Sequence, residues 1–127
     1  MSKRKLFIIE DDPMFAEMLQ DYLKSRPMWE VKHFMTGEDA LTNAYLDPEL
    51  VIIDYHLDSV NLKGLSGIET MMKLKKISPK SHCVFLSGQK SYGVALQTIS
   101  HGAENYIIKD KAAFDEIGKI LDGLPVT

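Results

Sequence analysis

The chain has little cysteine, no long apolar run, no surplus of positive charge and no internal repeat. A single cysteine, Cys83, stands among 127 residues. A disulfide framework is therefore excluded, and a reducing compartment such as the cytosol suits the chain. No apolar stretch is long enough to span a bilayer. Lys3, Arg4 and Lys5 precede the apolar Leu6-Phe7-Ile8-Ile9, but Glu10 ends that run too early for a signal peptide. The formal net charge of −3 carries no basic footprint for nucleic acid. His33, His56, His82 and His101 have no metal-ligand spacing, so a zinc site is not expected. Low-complexity segments are also missing. Hydrophobic residues make up 45% of the chain, enough for a packed core. The expectation is one soluble, cytoplasmic domain over residues 1–127.

What is there is a series of short apolar runs separated by helical patterns. Lys5 to Ile9 reads as a strand and stops at Glu10-Asp11-Asp12. Asp12 before Pro13 has the form of a helix N-cap followed by proline in the first turn. Phe15, Met18, Leu19, Tyr22 and Leu23 recur at helical spacing and predict a helix over 13–24. Trp29 to Phe34 suggests a second strand. Thr36 and Asp39 resemble a weak capping box, and Ala40, Leu41, Ala44 and Tyr45 mark a short helix closed by Asp47-Pro48. Leu50-Val51-Ile52-Ile53-Asp54 is the third strand, a continuous apolar run of the kind buried on both faces. Tyr55 to Ser66 is polar and rich in turn residues. Ser66 and Glu69 form a capping box for a helix that uses Ile68, Met71, Met72 and Leu74 and ends at Ser78-Pro79. His82 to Leu86 is a fourth strand ending at Ser87-Gly88. A helix over 92–101 follows, with Gly102 at its C-terminal cap. Glu104 to Ile108 is a fifth strand ending at Lys109. Phe114, Ile117, Ile120, Leu121 and Leu124 give a last amphipathic helix.

Five βα units imply an α/β fold with parallel strands, right-handed crossovers and helices on both faces. Among doubly wound options they fit the flavodoxin-like order 2-1-3-4-5, which periodicity alone does not settle. Cys83 and the seven methionines are read as core, and Trp29 as cover for a sheet edge or helix.

Four strands end in polar groups: Glu10-Asp11-Asp12, Asp54, Ser87 and Lys109. In a parallel sheet these ends share one edge, where such folds bind ligands. Crowded carboxylates raise one another's pKa unless a cation intervenes. Mg²⁺ is the simple remedy, with Asp11 and Asp54 as direct ligands, Glu10 acting through water and the His56 backbone carbonyl completing the set. Asp54 is then placed to act as a nucleophile toward phosphorus, with Lys109 and the Ser87 hydroxyl meeting the charge on the transferring group. Taken singly, each residue has an ordinary reading. Asp12 is best taken as a cap, Glu10 and Asp11 could form a solvated turn, Ser87 a turn residue, and Lys109 an exposed lysine. The combination at the ends of strands one, three, four and five favours a site.

These residues resemble the receiver domain of two-component response regulators over essentially the whole chain. Ile8-Ile9-Glu10-Asp11-Asp12-Pro13 is similar to the acidic-pair motif, Val51-Ile52-Ile53-Asp54 to the phosphoacceptor strand, and Phe85-Leu86-Ser87-Gly88 to the hydroxyl motif. Gly102-Ala103-Glu104-Asn105-Tyr106-Ile107-Ile108-Lys109 matches a Gly-Ala-x-x-Tyr-x-x-Lys pattern. The resemblance implies that Asp54 takes phosphate from a histidine kinase or phosphotransfer protein, with Mg²⁺ bound at Asp11 and Glu10. It implies that Ser87 and Tyr106 move as a switch, that His56 and Gln89 tune dephosphorylation, and that the face of the fourth helix, fifth strand and fifth helix meets a downstream protein or a second copy. It implies a signalling switch rather than an enzyme acting on other substrates.

Three departures stand out. Lys109 is followed by Asp110 where the family usually has proline, which makes a cis bond unexpected and suggests Asp110 as a cap for the last helix. The stretch from Asp54 to Gly67 is longer than usual, with an extended loop over 58–66 at the mouth of the site. Serine replaces the more common threonine at position 87. The sequence given leaves no room for an output domain, so a stand-alone receiver and a receiver cut from a longer DNA-binding regulator are both compatible. A haloacid-dehalogenase-type phosphatase would need an Asp-x-Asp nucleophile after the first strand, which Glu10-Asp11-Asp12 does not supply. A flavodoxin would need a Ser/Thr-Gly phosphate loop where this chain has acids.

Overall fold

Strands of four to six residues alternate with helices of six to eleven, and each pair forms one βα unit. The structure, a computed structural model, describes residues 3–57 and 64–126. In chain order it comprises β1 (Arg4–Ile9), α1 (Pro13–Leu23), β2 (Trp29–Phe34), α2 (Gly37–Thr42), a 3₁₀ turn (Ala44–Leu46), β3 (Leu50–Asp54), α3 (Gly67–Ile77), β4 (His82–Ser87), α4 (Tyr92–Ser100), β5 (Asn105–Ile108) and α5 (Ala113–Gly123). The five strands are parallel in the order β2-β1-β3-β4-β5, the doubly wound order expected. Most of the extended loop expected over 58–66 lies outside the described residues.

Strand parity sorts the core into two layers. Leu6, Ile8, Leu50, Ile52, Val84 and Leu86 face α1 and α5 and meet Leu19, Leu23, Ile117 and Leu121. Phe7, Ile9, Val51, Ile53, Cys83 and Phe85 face the other way and meet Ala40, Met71 and Leu74. Every residue of β3 is buried, because helices cover both faces of the sheet and neighbouring strands cover both edges. Each large aliphatic side chain buried there contributes about 1.5–3 kcal/mol.

Capping sets the entry of each helix. Asp12 Oδ1 accepts from the Met14 and Phe15 amides at 3.0 and 3.4 Å, as a cap before proline should. Thr36 Oγ1 accepts from Asp39 N at 3.1 Å. The Ser66–Glu69 capping box is complete, with reciprocal bonds of 3.1 Å. Gly102 follows the last turn of α4 with φ +114°, a conformation that favours glycine.

Several expectations are corrected. The helix marked by Ala40 to Tyr45 breaks at Asn43 into α2 and the 3₁₀ turn. Asp47, at φ 58°, closes that turn, and Tyr45 is 73% exposed rather than core-facing. The methionines do not fill the core: Met71 is buried, but Met14, Met18, Met28, Met35 and Met72 are exposed. Met18 and Met72 fall at the margins of their helices' apolar stripes, where spacing cannot separate rim from core. Asp110 does not cap α5 itself. It accepts from Ala112 N at 2.9 Å, closing the turn before the helix, whose first residue follows Ala112. Trp29 is buried in the α1/α5 layer with the Arg4 guanidinium 4.4 Å above its ring. Cys83 is buried as expected, and burial pushes its thiol up to about 12.

Candidate functional site

Strand register assembles the site. Ile9 pairs with Ile53, Asp54 with Leu86, and Ser87 with Ile108. Glu10, Asp54, Ser87 and Lys109 therefore emerge at the same carboxyl edge of the sheet, each at or just after the last residue of its strand. The four come from stretches remote in sequence, and only the parallel topology makes them neighbours.

Glu10, Asp11 and Asp54 form the acidic core of the crevice. One carboxylate oxygen from each lies within 4.8 Å of the others. Glu10 and Asp54 are buried, and Asp11 is half-buried. The Lys109 ammonium stands opposite, 2.7 Å from Glu10 Oε1 and 3.7 Å from Asp54 Oδ1. The Glu10 contact is a close, largely buried ion pair. Glu10 Oε2 accepts from Asp12 N at 3.1 Å. Asp54 Oδ1 accepts from His56 N at 3.2 Å.

The charges do not balance: three carboxylates face one ammonium. Burial raises the Asp54 carboxyl above the ordinary carboxylate range. Neighbouring Glu10 raises it further, against the opposing pull of Asp11 and Lys109. For Lys109, burial disfavours the charged form, but Glu10 and Asp54 outweigh it and the pKa is raised. A compact, all-oxygen donor set with two of its three carboxylates buried and one ammonium to offset them fits a hard divalent cation.

Ser87 is fully buried at the end of β4, and its Oγ accepts from Gln89 N at 3.0 Å. Tyr106 is half-buried on β5, and its hydroxyl donates to the Gln89 carbonyl at 2.6 Å. Ser87 and Tyr106, singled out as a pair from the sequence, are thus joined through the backbone of Gln89. A Cβ at Gly88 would meet nothing within 4 Å, which leaves open space beside this segment.

Three supporting features escaped the sequence reading. Gly67 packs so tightly that a Cβ there would lie 2.7 Å from the Asp54 carbonyl oxygen and 2.9 Å from the Phe85 ring. His33 Nε2 donates to the Glu10 carbonyl at 2.8 Å, bracing the acidic turn from the end of β2. Phe15 lies beneath the Lys109 ammonium, with its ring centroid at 4.6 Å. All are contacts between distant residues, and only the glycine, at the start of a capped helix, left a local signal.

An acid-lined crevice opposed by a lysine at the carboxyl edge of a 2-1-3-4-5 parallel sheet defines a doubly wound α/β domain with its site where such folds bind ligands. The family profile of the response regulator receiver domain matches residues 6–121, and the chain belongs to that family. The glycerol metabolism activator of Pseudomonas putida is 28% identical over 125 residues, covering 94% of this chain and 54% of that protein. The nitrate/nitrite response regulator protein NarL of Escherichia coli K12 is 27% identical over 107 residues, covering 83% and 47%. The chain thus spans about half the length of these curated relatives. A solved response regulator from Burkholderia pseudomallei, with a phosphorylated aspartic acid, a calcium ion and citrate, is similar with a TM-score of 0.74. That pair is 25% identical, with 98% of this chain and 78% of that chain covered.

Proposed function

We propose that Asp54 is the phosphoacceptor of this receiver domain and takes its phosphoryl group from a phosphohistidine of a sensor kinase or phosphotransfer protein. A carboxylate oxygen of Asp54 attacks phosphorus, the P–N bond breaks, and its electron pair returns to the imidazole. The observation that carries this reading is the placement of Asp54. It is a buried carboxylate at a strand end, 3.7 Å from Lys109 and clustered with two further acids.

Glu10, Asp11 and Asp54, with the His56 backbone carbonyl, would hold Mg²⁺. When bound, the ion screens the carboxylates and neutralises phosphoryl charge. Lys109 supplies the second counter-charge, and the Ser87 hydroxyl turns from Gln89 N toward the phosphoryl oxygens. Because the Gln89 backbone joins Ser87 to Tyr106, that turn reaches the face of α4, β5 and α5. A downstream protein or a second copy of the chain would read the change there. The side chains of His56 and Gln89 flank the acceptor and set the lifetime of the acyl phosphate. The Burkholderia protein, with its phosphorylated aspartic acid and calcium ion, supports an aspartate acceptor and a divalent cation in general terms. The domain modifies itself and acts on no other substrate. It works in the cytoplasm, alone or as the receiver of a longer DNA-binding regulator.

The test is incubation with acetyl phosphate, with and without Mg²⁺, followed by intact mass. A single phosphate adduct that needs the ion and is lost in Asp54→Asn is expected. An adduct that forms equally in excess chelator would overturn the role of the acidic cluster.

A further inference from the structure

Lys109 has one neighbour that the acid–metal scheme does not use. Its Nζ stands over the face of Phe15, 4.6 Å from the ring centroid, within the range of a cation–π contact. A lysine ends in a compact charge on a flexible four-carbon stem, so its reach is set by what confines it. The backbone end is fixed, because Lys109 N donates to the Ser87 carbonyl at 2.8 Å. On the acidic side Glu10 and Asp54 attract the ammonium. Asp12, at the N-cap of α1, attracts it more weakly. Phe15 lies three residues beyond Asp12 in the first turn of that helix and closes this side with an aromatic face.

Phe15 is itself held in place. Its amide donates to Asp12 Oδ1 at 3.4 Å. Its ring tilts against Phe114 of α5 with centroids 5.7 Å apart, and Phe114 packs in turn on Tyr22 at 5.4 Å. The ring that faces the ammonium is therefore set by the packing of α1 on α5 rather than by the site's own charges.

We infer that Phe15 is a positioning residue: its ring face holds the Lys109 ammonium over the Glu10–Asp54 pair, in reach of an incoming phosphoryl group. The inference rests on the reading of Lys109 as the phosphoryl counter-charge, but the contact can be tested separately. Leucine at position 15 keeps the apolar volume and removes the π face. Tyrosine keeps the face.

The full chain is labelled with [13Cε]lysine, and the Lys109 Hε resonance is assigned by its loss in Lys109→Arg. In the parent and in Phe15→Tyr, ring current should shift Lys109 Hε upfield of the exposed lysines. In Phe15→Leu it should rejoin them, while the melting curve confirms a folded chain. Adduct formation from acetyl phosphate and Mg²⁺ should slow roughly three- to tenfold in Phe15→Leu, the scale of a half-buried cation–π contact. In Phe15→Tyr it should stay within about twofold. A parent Lys109 Hε at the exposed-lysine position, or a Phe15→Leu rate within about twofold of the parent, would overturn the inference. If the parent accepts no phosphate at all, the phosphoacceptor reading fails, and the Lys109 resonance alone decides the role of Phe15.

Discussion

Asp54 carries its charge where the surroundings disfavour it. Burial is the largest cause of its raised pKa, and Glu10 adds to it. The sign of the consequence follows from linkage. Above the folded pKa Asp54 is ionised in both states, and the folded chain bears the full penalty. As pH falls through the folded value the folded chain binds its proton first, so the penalty shrinks and is gone below the unfolded value. Asp54→Asn should therefore raise the melting temperature at neutral pH in chelator. The gain should fade as pH drops toward the ordinary carboxylate range. Calorimetry across that range checks it, and a variant no more stable than the parent at neutral pH would refute the account of the buried charge. Asp54, Glu10 and Lys109 were legible because each ends an apolar run, and side-chain chemistry is what a sequence records. The Gln89 link between Ser87 and Tyr106 was not, because it runs through a main-chain N–H and carbonyl that every residue type but proline possesses. Met18 and Met72 were misread for a related reason: helical spacing places a residue on a stripe but not at its edge.

Among the elements, β3 and α3 decide how the acceptor is held. The capping box of Ser66 and Glu69 starts α3, and Gly67 in its first turn lies against the end of β3. Gly67→Ala would put a methyl 2.7 Å from the Asp54 carbonyl oxygen, a backbone atom that cannot rotate away. The strand end or the helix start must shift. We expect a loss of about 1–3 kcal/mol in urea unfolding and slower phosphate uptake, as overpacking against fixed backbone implies. Unchanged stability and uptake would mean that α3 moves freely on β3. The strands, the Ser66–Glu69 capping box and the last helix were legible because local pattern and tertiary burial agree there. The split of the second helix was not, since its break at Asn43 and the left-handed Asp47 serve the approach of the following strand. The Asp110 cap missed by a turn because an acid near a helix start can serve the preceding turn equally well.

At the scale of the molecule, the packing is uneven. β1, β3 and β4 are almost fully buried, whereas α4 buries Thr98 and leaves Tyr92, Leu96 and Ile99 exposed. Local stability should follow. Amide hydrogen exchange in the free protein should be slowest in β1 and β3 and markedly faster in α4 than in α5. Equal protection of the two helices would contradict a loosely held α4. The sheet order was among the options the strand and helix alternation allowed, and the register completed what alternation could not say: which strand ends stand level.

The central claim is that phosphate is carried by Asp54, and chemical trapping tests it most directly. An aspartyl phosphate is reduced by borohydride to homoserine, whereas a phosphate ester is not. The full chain, treated with acetyl phosphate and Mg²⁺, reduced and mapped by peptide mass spectrometry, should carry homoserine at position 54. Homoserine at another acid, or a stable phosphate on a hydroxyl residue with position 54 unmodified, would contradict the account.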